Sequence, residues 1–427
     1  MDWRSGRLPL RGLRVIDWTL YWAGPYLGMM LHDLGAEVIK IESPSNWDPL
    51  RTVIDVNKYE GAGAKPLTPQ ERANVNQHFN EWNRGKLGLG IELAQPRGRE
   101  LLLGLAAKSQ VFIENHRPGA KQKLGIAYED LVAVRPDIIY VSVSGFGQTP
   151  PERDAMALGA PVELASGLFS LNGYRDAATP AKTGFSYGDP VGALTALGAL
   201  LLAIRTWRRT GKGGHLDISM RDALAYGTGA AFVDWSMNGI ERPRRGNRHP
   251  VFAPQGVYRA KGDDAWVAIS VRDDRDWSAL GVALGRPAWH GAAALASAEG
   301  RRDRHDELDA AIEDWTSQRS PREAEAALQE AGVPAAAVLD YKQLGADPQL
   351  AARGAFQQIE HPAFGSEIRA TSQWQRGTSA QPIDAPAPCF GQHNSHVLQE
   401  ILGLSVDEIT GLEREGIVGD KIQAVPD

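Results

Sequence analysis

Cysteine is almost missing from this chain. Cys389 stands alone among 427 residues, so one copy cannot form an internal disulfide, and a reducing, cytoplasmic setting is expected. A charge excess of either sign is missing as well. Lys and Arg number 46 against 52 Asp and Glu, a net −6, which argues against a nucleic-acid or membrane-surface role but leaves room for a local basic pocket. The longest apolar run, Pro190 to Ile204, is shorter than a membrane span and ends in Arg205-Thr-Trp-Arg-Arg209. The opening Met1-Asp-Trp-Arg-Ser-Gly-Arg7 has no signal-peptide core. No glycine-rich phosphate loop of the Walker kind, no Cys/His cluster for a metal and no Gly-x-Ser-x-Gly elbow occurs. Gly145-Phe-Gly147 follows a strand-like run but does not continue into a dinucleotide fingerprint. There is no internal repeat and no low-complexity tract.

What is present is an ordinary globular mixture, 43% hydrophobic and 23% charged, with length enough for roughly two or three domains. The first half alternates strands with helices. Strands are expected at 13–19, 37–42, 110–114, 138–143 and 215–219, with helices after Gly24-Pro25, over 98–109 and near 128–134. Residues 43–80, rich in Pro, Asn, Gly and charge, read as a long surface excursion. Strands spaced by such helices predict βαβ units, hence an α/β fold with a parallel sheet covered on both faces. From about Gly239 the texture changes. Gly256–Tyr258 and Ala265–Ser270 read as an antiparallel pair, and alanine-rich helices follow. The expected division is therefore residues 1–224 as the first part of a large domain, 225–330 as a smaller one, and 331–427 returning to the large domain. That last part should hold the run Val333-Pro-Ala-Ala-Ala-Val338, a strand pair around 361–375 and a final helix at 394–402.

One acid stands out. Gly188-Asp189-Pro190 opens the long small-residue helix, which makes Asp189 its expected N-cap and Pro190 its first helical residue. There the helix dipole and free N–H groups favour the ionised carboxylate. Two readings follow: a structural cap, or a nucleophile whose approach is left open by Gly188. Position alone does not choose between them.

Seven blocks in order bear on that choice: Leu10-Arg-Gly-Leu-Arg-Val-Ile-Asp-Trp-Thr19 with Ala23-Gly-Pro25, Leu34-Gly-Ala-Glu-Val-Ile-Lys-Ile-Glu42, Asn83-Arg-Gly-Lys86, Glu114-Asn-His-Arg-Pro-Gly119, Ser144-Gly-Phe-Gly-Gln148, Thr210-Gly-Lys-Gly213 and Gly391-Gln-His393. Together they resemble the family III CoA-transferases, typified by formyl-CoA:oxalate CoA-transferase. The same fold family takes in carnitine and benzylsuccinate CoA-transferases and the α-methylacyl-CoA racemases. The resemblance implies a Rossmann-like large domain, a smaller α+β domain and two chains threaded as an interlocked dimer, either a homodimer or a heteromer with a related subunit. It implies that Asp189 is the catalytic carboxylate and forms an aspartyl-CoA thioester. An acyl-CoA would be the donor and a carboxylic acid the acceptor, with coenzyme A as substrate and no resident cofactor. It further implies CoA contacts from Ala23, Asn115, His116 and Ala120, and from Lys123, which stands where the formyl-CoA enzyme has Arg. A solvated helix face is the other reading of Lys121 and Lys123.

Two departures qualify the match. Arg245-Gly-Asn-Arg-His-Pro250 replaces a glycine-rich loop that closes over the intermediates. Gly159 stands where the racemases carry an Asp and the formyl-CoA enzyme a Glu; Glu163 would replace it only if the loop is shifted. That lowers the alternative of an acyl-CoA racemase or epimerase, which needs two bases. A second alternative is a CoA-binding, non-catalytic subunit. The aromatic pair Tyr21-Trp22 points to a bulky or aromatic acceptor acid.

Overall fold

The computed structural model describes residues 8–52, 67–149, 151–363, 365–376, 379–380 and 382–423. The opening heptapeptide and residues 53–66 of the expected excursion lie outside them. The chain divides into two compact units. One comprises Met1–Leu168, Thr183–Phe232 and Gln349–Asp427; the other comprises Phe169–Lys182 and Val233–Pro348. Beside the expected 225–330, the second unit reaches further toward the C-terminus and takes in Phe169–Lys182. No change of composition marks that inserted stretch. It is held by Asn172, whose side chain donates to the Ala181 carbonyl at 2.7 Å, and by Arg244, which donates to the Ala177 carbonyl.

The first unit is built on β1 (Arg14–Trp18), α1 (Ala23–Asp33), β2 (Glu37–Glu42), α2 (Pro69–Val75), α3 (Gln77–Asn83), β3 (Leu87–Gly90), α4 (Pro96–Ala107), β4 (Val111–Glu114), α5 (Ala120–Leu124), α6 (Tyr128–Val134), β5 (Ile139–Ser144), α7 (Gly159–Ala165), α8 (Gly188–Thr210), β6 (Gly214–Ser219) and α9 (Met220–Gly227). The strands form one parallel six-stranded sheet in the order β3-β2-β1-β4-β5-β6. Neighbours on one strand serve opposite faces. Val15, Val111, Ile113, Ile139 and Val141 join the layer that contains α1 and α8; Ile16, Phe112 and Tyr140 join the layer that contains α4 and α6. This two-sided burial explains why the strands read as unbroken apolar runs. Fully burying one such aliphatic side chain contributes about 1.5–3 kcal/mol.

Residues 67–80, expected as part of a surface excursion, instead carry α2 and most of α3 and bury Ala73, Val75, Asn76 and Phe79. Two further elements had no clear signal. β3, Leu-Gly-Leu-Gly, is short and half glycine, so its strand propensity is low; it is placed by pairing with β2. The helix Val406–Arg414 follows the expected 394–402 segment, and together they bring Val397, Leu398, Ile401, Ile409 and Leu412 onto the second face of the sheet. α8 is also longer than its apolar run. It has 23 residues and is long and apolar enough by composition to cross a membrane. In this unit, Gly192, Ala193, Ala196, Leu197, Leu200 and Ile204 form one buried stripe.

After α10 (Gly229–Asn238), which buries no residue, the second unit carries the antiparallel strands β7 (Gln255–Arg259) and β8 (Trp266–Ser270), as expected. β9 (Ala335–Ala337) completes a sheet of order β7-β8-β9. Tyr258, Val267, Trp277, Leu280, Ile312 and Leu328 belong to its core. The strand pair expected around 361–375 is the hairpin β10 (Phe356–His361) and β11 (Gly365–Ala370), shifted toward the N-terminus.

Candidate active site

The sheet order reverses direction between β1 and β4, and in open parallel sheets the crevice beyond the strand C-termini at that point is the natural ligand site. A cleft of about 690 Å³ lies there. Its walls include the Leu20–Ala23 turn after β1, Asn115–Pro118 and Ala120 after β4, Val143–Gly145 at the end of β5, the loop residues Arg153 and Ala155–Leu158, Gly159 at the start of α7, and Asp189.

Asp189 is not the cap the sequence led us to expect. α8 begins two residues earlier than expected, at Gly188, and its N-cap residue makes no side-chain capping bond; Asp189 sits in the first turn and Pro190 follows as the third helical residue. The Gly188 N–H is taken instead by the buried Glu163 Oε1 at 3.0 Å. The Ala23 N–H and its own backbone N–H face the Asp189 carboxylate and favour its charged form. Its ionisation also departs from the dipole argument. Burial, reinforced by the facing Glu163, outweighs both hydrogen bonds and raises Asp189 to about 6. The carboxylate is thus largely ionised at neutral pH, yet less solvated than a surface acid and correspondingly more reactive.

Gly159 gives this carboxylate its space. A Cβ built at Gly159 would lie 2.5 Å from Asp189 Oδ2 and 2.9 Å from Ser186 Cβ, whereas one at Gly188 meets nothing nearer than 3.5 Å. Gly159 therefore leaves no room for the acid found there in the racemases. Glu163, one helical turn on, is fully buried behind Asp189, and its Oε2 has no hydrogen-bond partner among the described residues.

Ala23, Asn115, His116 and Ala120 all line the cleft with Asp189. Lys123 does not; it is exposed on α5 and outside the cleft wall. Lys121 is not a solvated surface residue. It is buried, with Nζ 2.5 Å from Glu114 Oε1 and 2.6 Å from Gln148 Oε1. The cations in the cleft wall are Arg117 and Arg153, which sequence reasoning passed over; Arg117 lay inside a recognised block, but nothing in its spacing set it apart. His116 stacks on Trp18 at 3.7 Å, and burial pushes its imidazole down to about 3, so it is neutral. Asn115 spends both ends of its amide on Leu20, accepting from its N–H at 2.8 Å and donating to its carbonyl at 2.7 Å. Arg248, in the segment replacing the glycine-rich loop, is tied to Asp306 and Asp309 of its own unit.

Beneath the turn lies a buried ionic lattice. Lys86 Nζ bonds Asp17 Oδ2, the Pro25 carbonyl and Asn83 Oδ1 at 2.7–2.8 Å. Lys40 Nζ bonds the Thr19 carbonyl at 2.5 Å and Asp48 Oδ2 at 3.0 Å. Arg51 forks onto Glu42 and stacks 3.6 Å over Phe79. Burial opposes the charge on Asp17, but Lys86 and Lys40 outweigh it and hold that carboxyl below its usual range. Among the described residues no His/Cys/Asp/Glu group is arranged to hold a metal ion.

Comparison with known proteins bears on the family and the fold. The profile of CoA-transferase family III matches residues 10–394. The chain is 30% identical over 412 residues to the succinyl-CoA--D-citramalate CoA-transferase of Chloroflexus aurantiacus, covering 96% of this chain and 98% of that one. It is 33% identical over 345 residues to the acetyl-CoA:oxalate CoA-transferase of Acetobacter aceti, covering 81% and 84%. A CaiB/BaiF family protein from Brucella suis has the same fold, with a TM-score of 0.80 at 29% identity over 92% of this chain and 99% of that structure.

Proposed function

The chain belongs to CoA-transferase family III, and from that premise we propose that it moves coenzyme A between an acyl-CoA and a free carboxylic acid through an aspartyl-CoA thioester on Asp189. The observation that carries this reading is the Asp189 carboxylate in the wall of the switch-point cleft, with Ala23 lining the same cleft.

In the proposed sequence an Asp189 oxygen attacks the donor thioester carbonyl and expels CoA thiolate, leaving a mixed anhydride. The thiolate attacks the Asp189 carbonyl of that anhydride and expels the donor acid, leaving aspartyl-CoA. An acceptor carboxylate then attacks the aspartyl thioester, forming a second anhydride and freeing the thiolate again. Thiolate attack on the acceptor's carbonyl gives the new acyl-CoA and regenerates the Asp189 carboxylate. Twice in this cycle the Asp189 carbonyl is the electrophile, and its oxygen takes up negative charge. The Ala23 N–H faces that carboxyl group, where it would serve the oxyanion, and loss of one such donor typically costs about 10²–10³ in rate. Arg117 and Arg153 supply positive charge for the CoA phosphates.

The relatives are named for D-citramalate and oxalate. Here Tyr21, Trp22, Met156 and Leu158 line the cleft that holds Asp189, and Trp22 is braced by Trp82 at 5.1 Å and Phe185 at 4.8 Å. This wall supports an acceptor acid with a bulky or aromatic group. A second copy or a related subunit as partner is supported by α10, which leaves Phe232, Val233, Trp235 and Met237 exposed.

The test is CoA exchange across a panel of acyl-CoAs and acids that includes citramalate, oxalate and arylacetic acids, run with the wild type and Asp189→Ala. Transfer by the wild type, abolished in the variant with CoA binding retained, is the expected result. Solvent deuterium entering the α-position without CoA transfer would instead establish a racemase. CoA binding with no turnover on any pair would establish a non-catalytic subunit.

A further inference from the structure

The turn that delivers the Ala23 N–H is held residue by residue. Thr19 offers its carbonyl to Lys40 Nζ at 2.5 Å. Leu20 is clamped at both backbone groups by Asn115. Tyr21, one of two non-glycine residues found with positive φ among the described residues, is left-handed at φ 61, and its N–H donates to Asp48 Oδ1 at 3.0 Å. A tyrosine takes that conformation only where its surroundings enforce it. The same Asp48 oxygen accepts from the Leu50 N–H at 3.1 Å, and Oδ2 pairs with Lys40 at 3.0 Å. Two residues after Tyr21, Ala23 opens α1, where a backbone N–H lacks an intrahelical acceptor, and it lines the same cleft as the Asp189 carboxylate, whose charged form it favours.

Resting on the reading of Asp189 as nucleophile, we propose that Asp48, charge-balanced by Lys40, is a positioning residue for CoA transfer. It fixes Tyr21 in the left-handed conformation that aims the Ala23 N–H at the Asp189 carboxylate. Lys40 and Asp48 are both fully buried and neither lines the cleft, so they act through the turn and never touch substrate. Glu42 braces Asp48 from below, accepting its N–H at 3.0 Å. The acid facing Asp189 from the other side is Glu163 on α7, which is no part of this chain of contacts.

The experiment compares the wild type, a Lys40→Met/Asp48→Leu double variant, Asp48→Asn and Asp189→Asn. The double variant replaces a buried pair by apolar side chains, which leaves no unpaired charge and preserves folding in comparable cases. Asp48→Asn keeps an oxygen for the Tyr21 and Leu50 N–H groups. For the double variant we expect kcat to fall about ten- to a hundredfold, as for loss of a hydrogen bond to a charged group, with KM for acyl-CoA within about threefold. The acid limb of kcat should move to higher pH, because Asp189 has lost a donor. Amide exchange in the peptide spanning residues 19–25 should quicken. Asp48→Asn should retain kcat within about threefold. Wild-type kcat in the double variant, or a lost kcat with unchanged acid limb and amide exchange, overturns the inference. Asp189→Asn separates the two claims. Transfer surviving in it removes the nucleophile and this inference with it, whereas a dead Asp189→Asn beside a normal double variant removes this inference alone. If the double variant does not fold, Asp48→Ala against Asp48→Asn decides on the same readouts, and wild-type values in Asp48→Ala overturn the inference.

Discussion

Gly159→Ala is the smallest change that should silence this cleft. The added methyl carbon would sit 2.5 Å from Asp189 Oδ2, where ordinary contact begins at 3.4 Å, so the carboxylate oxygen must retreat by about 1 Å. That displacement disturbs the surroundings of the carboxylate, among them the Ala23 N–H that favours its ionised form. A misplacement of about 1 Å at a reacting group costs on the order of a hundredfold in rate, or about 2.7 kcal/mol of barrier. Stability should barely change. Residue 159 opens α7, and Ala is favoured over Gly in a helix by roughly 0.5–1 kcal/mol, which offsets the push against Ser186. The assay is single-turnover release of CoA from acyl-CoA, with thermal unfolding measured in parallel. Gly188→Ala is the control: it stands next to Asp189 in sequence, yet its Cβ would meet only contacts of 3.5 Å or longer, so near-normal release is expected. Normal release in Gly159→Ala, or equal losses in both variants, would refute the reasoning.

Because burial first, and Glu163 after it, raises Asp189 to about 6, release of CoA should fall along an acid limb near pH 6. Glu163→Gln keeps an acceptor for the Gly188 N–H but removes the facing charge, so its limb should move to lower pH in the same assay. The native state is penalised by the buried charge above pH 6 and escapes that penalty as Asp189 protonates toward its ordinary value of 3.8. Asp189→Asn, inactive, should therefore melt above the wild type at pH 8, and the difference should vanish by about pH 4. Arg51→Ala strands the buried Glu42 and should lower unfolding stability by about 3–5 kcal/mol in a denaturant titration.

The alternation of strands and helices was legible because the central strands are buried on both faces and give continuous apolar runs. Periodicity failed at β3, where two glycines erase the pattern, and at Val406–Arg414, whose core contribution is only Ile409 and Leu412. At the site, ordered blocks pointed to Ala23, Asn115 and His116, which share one cleft because they follow β1 and β4 at the switch point, and Asp189 reaches the same cleft from the start of α8. What the residues did there was less visible. Asp189 reads as a cap because Asp-Pro at a helix start is the usual capping signature. Only three dimensions reveal that Glu163, from another helix, takes the Gly188 N–H. Asn115 reads as a ligand contact, yet its amide is spent on Leu20. Lys121 and Lys123 look alike in sequence; one is buried against Glu114 and the other is exposed. Spacing along a chain carries the order of elements but not the partner across a turn.

The most direct measurement is to mix the protein with an acyl-CoA it turns over, quench with hydroxylamine and map the modified peptide by mass spectrometry. The account expects a hydroxamate at Asp189 and, without the trap, a CoA adduct on the same residue that disappears when acceptor acid is added. Efficient transfer with Asp189 unmodified, or with the adduct on another residue, would contradict it.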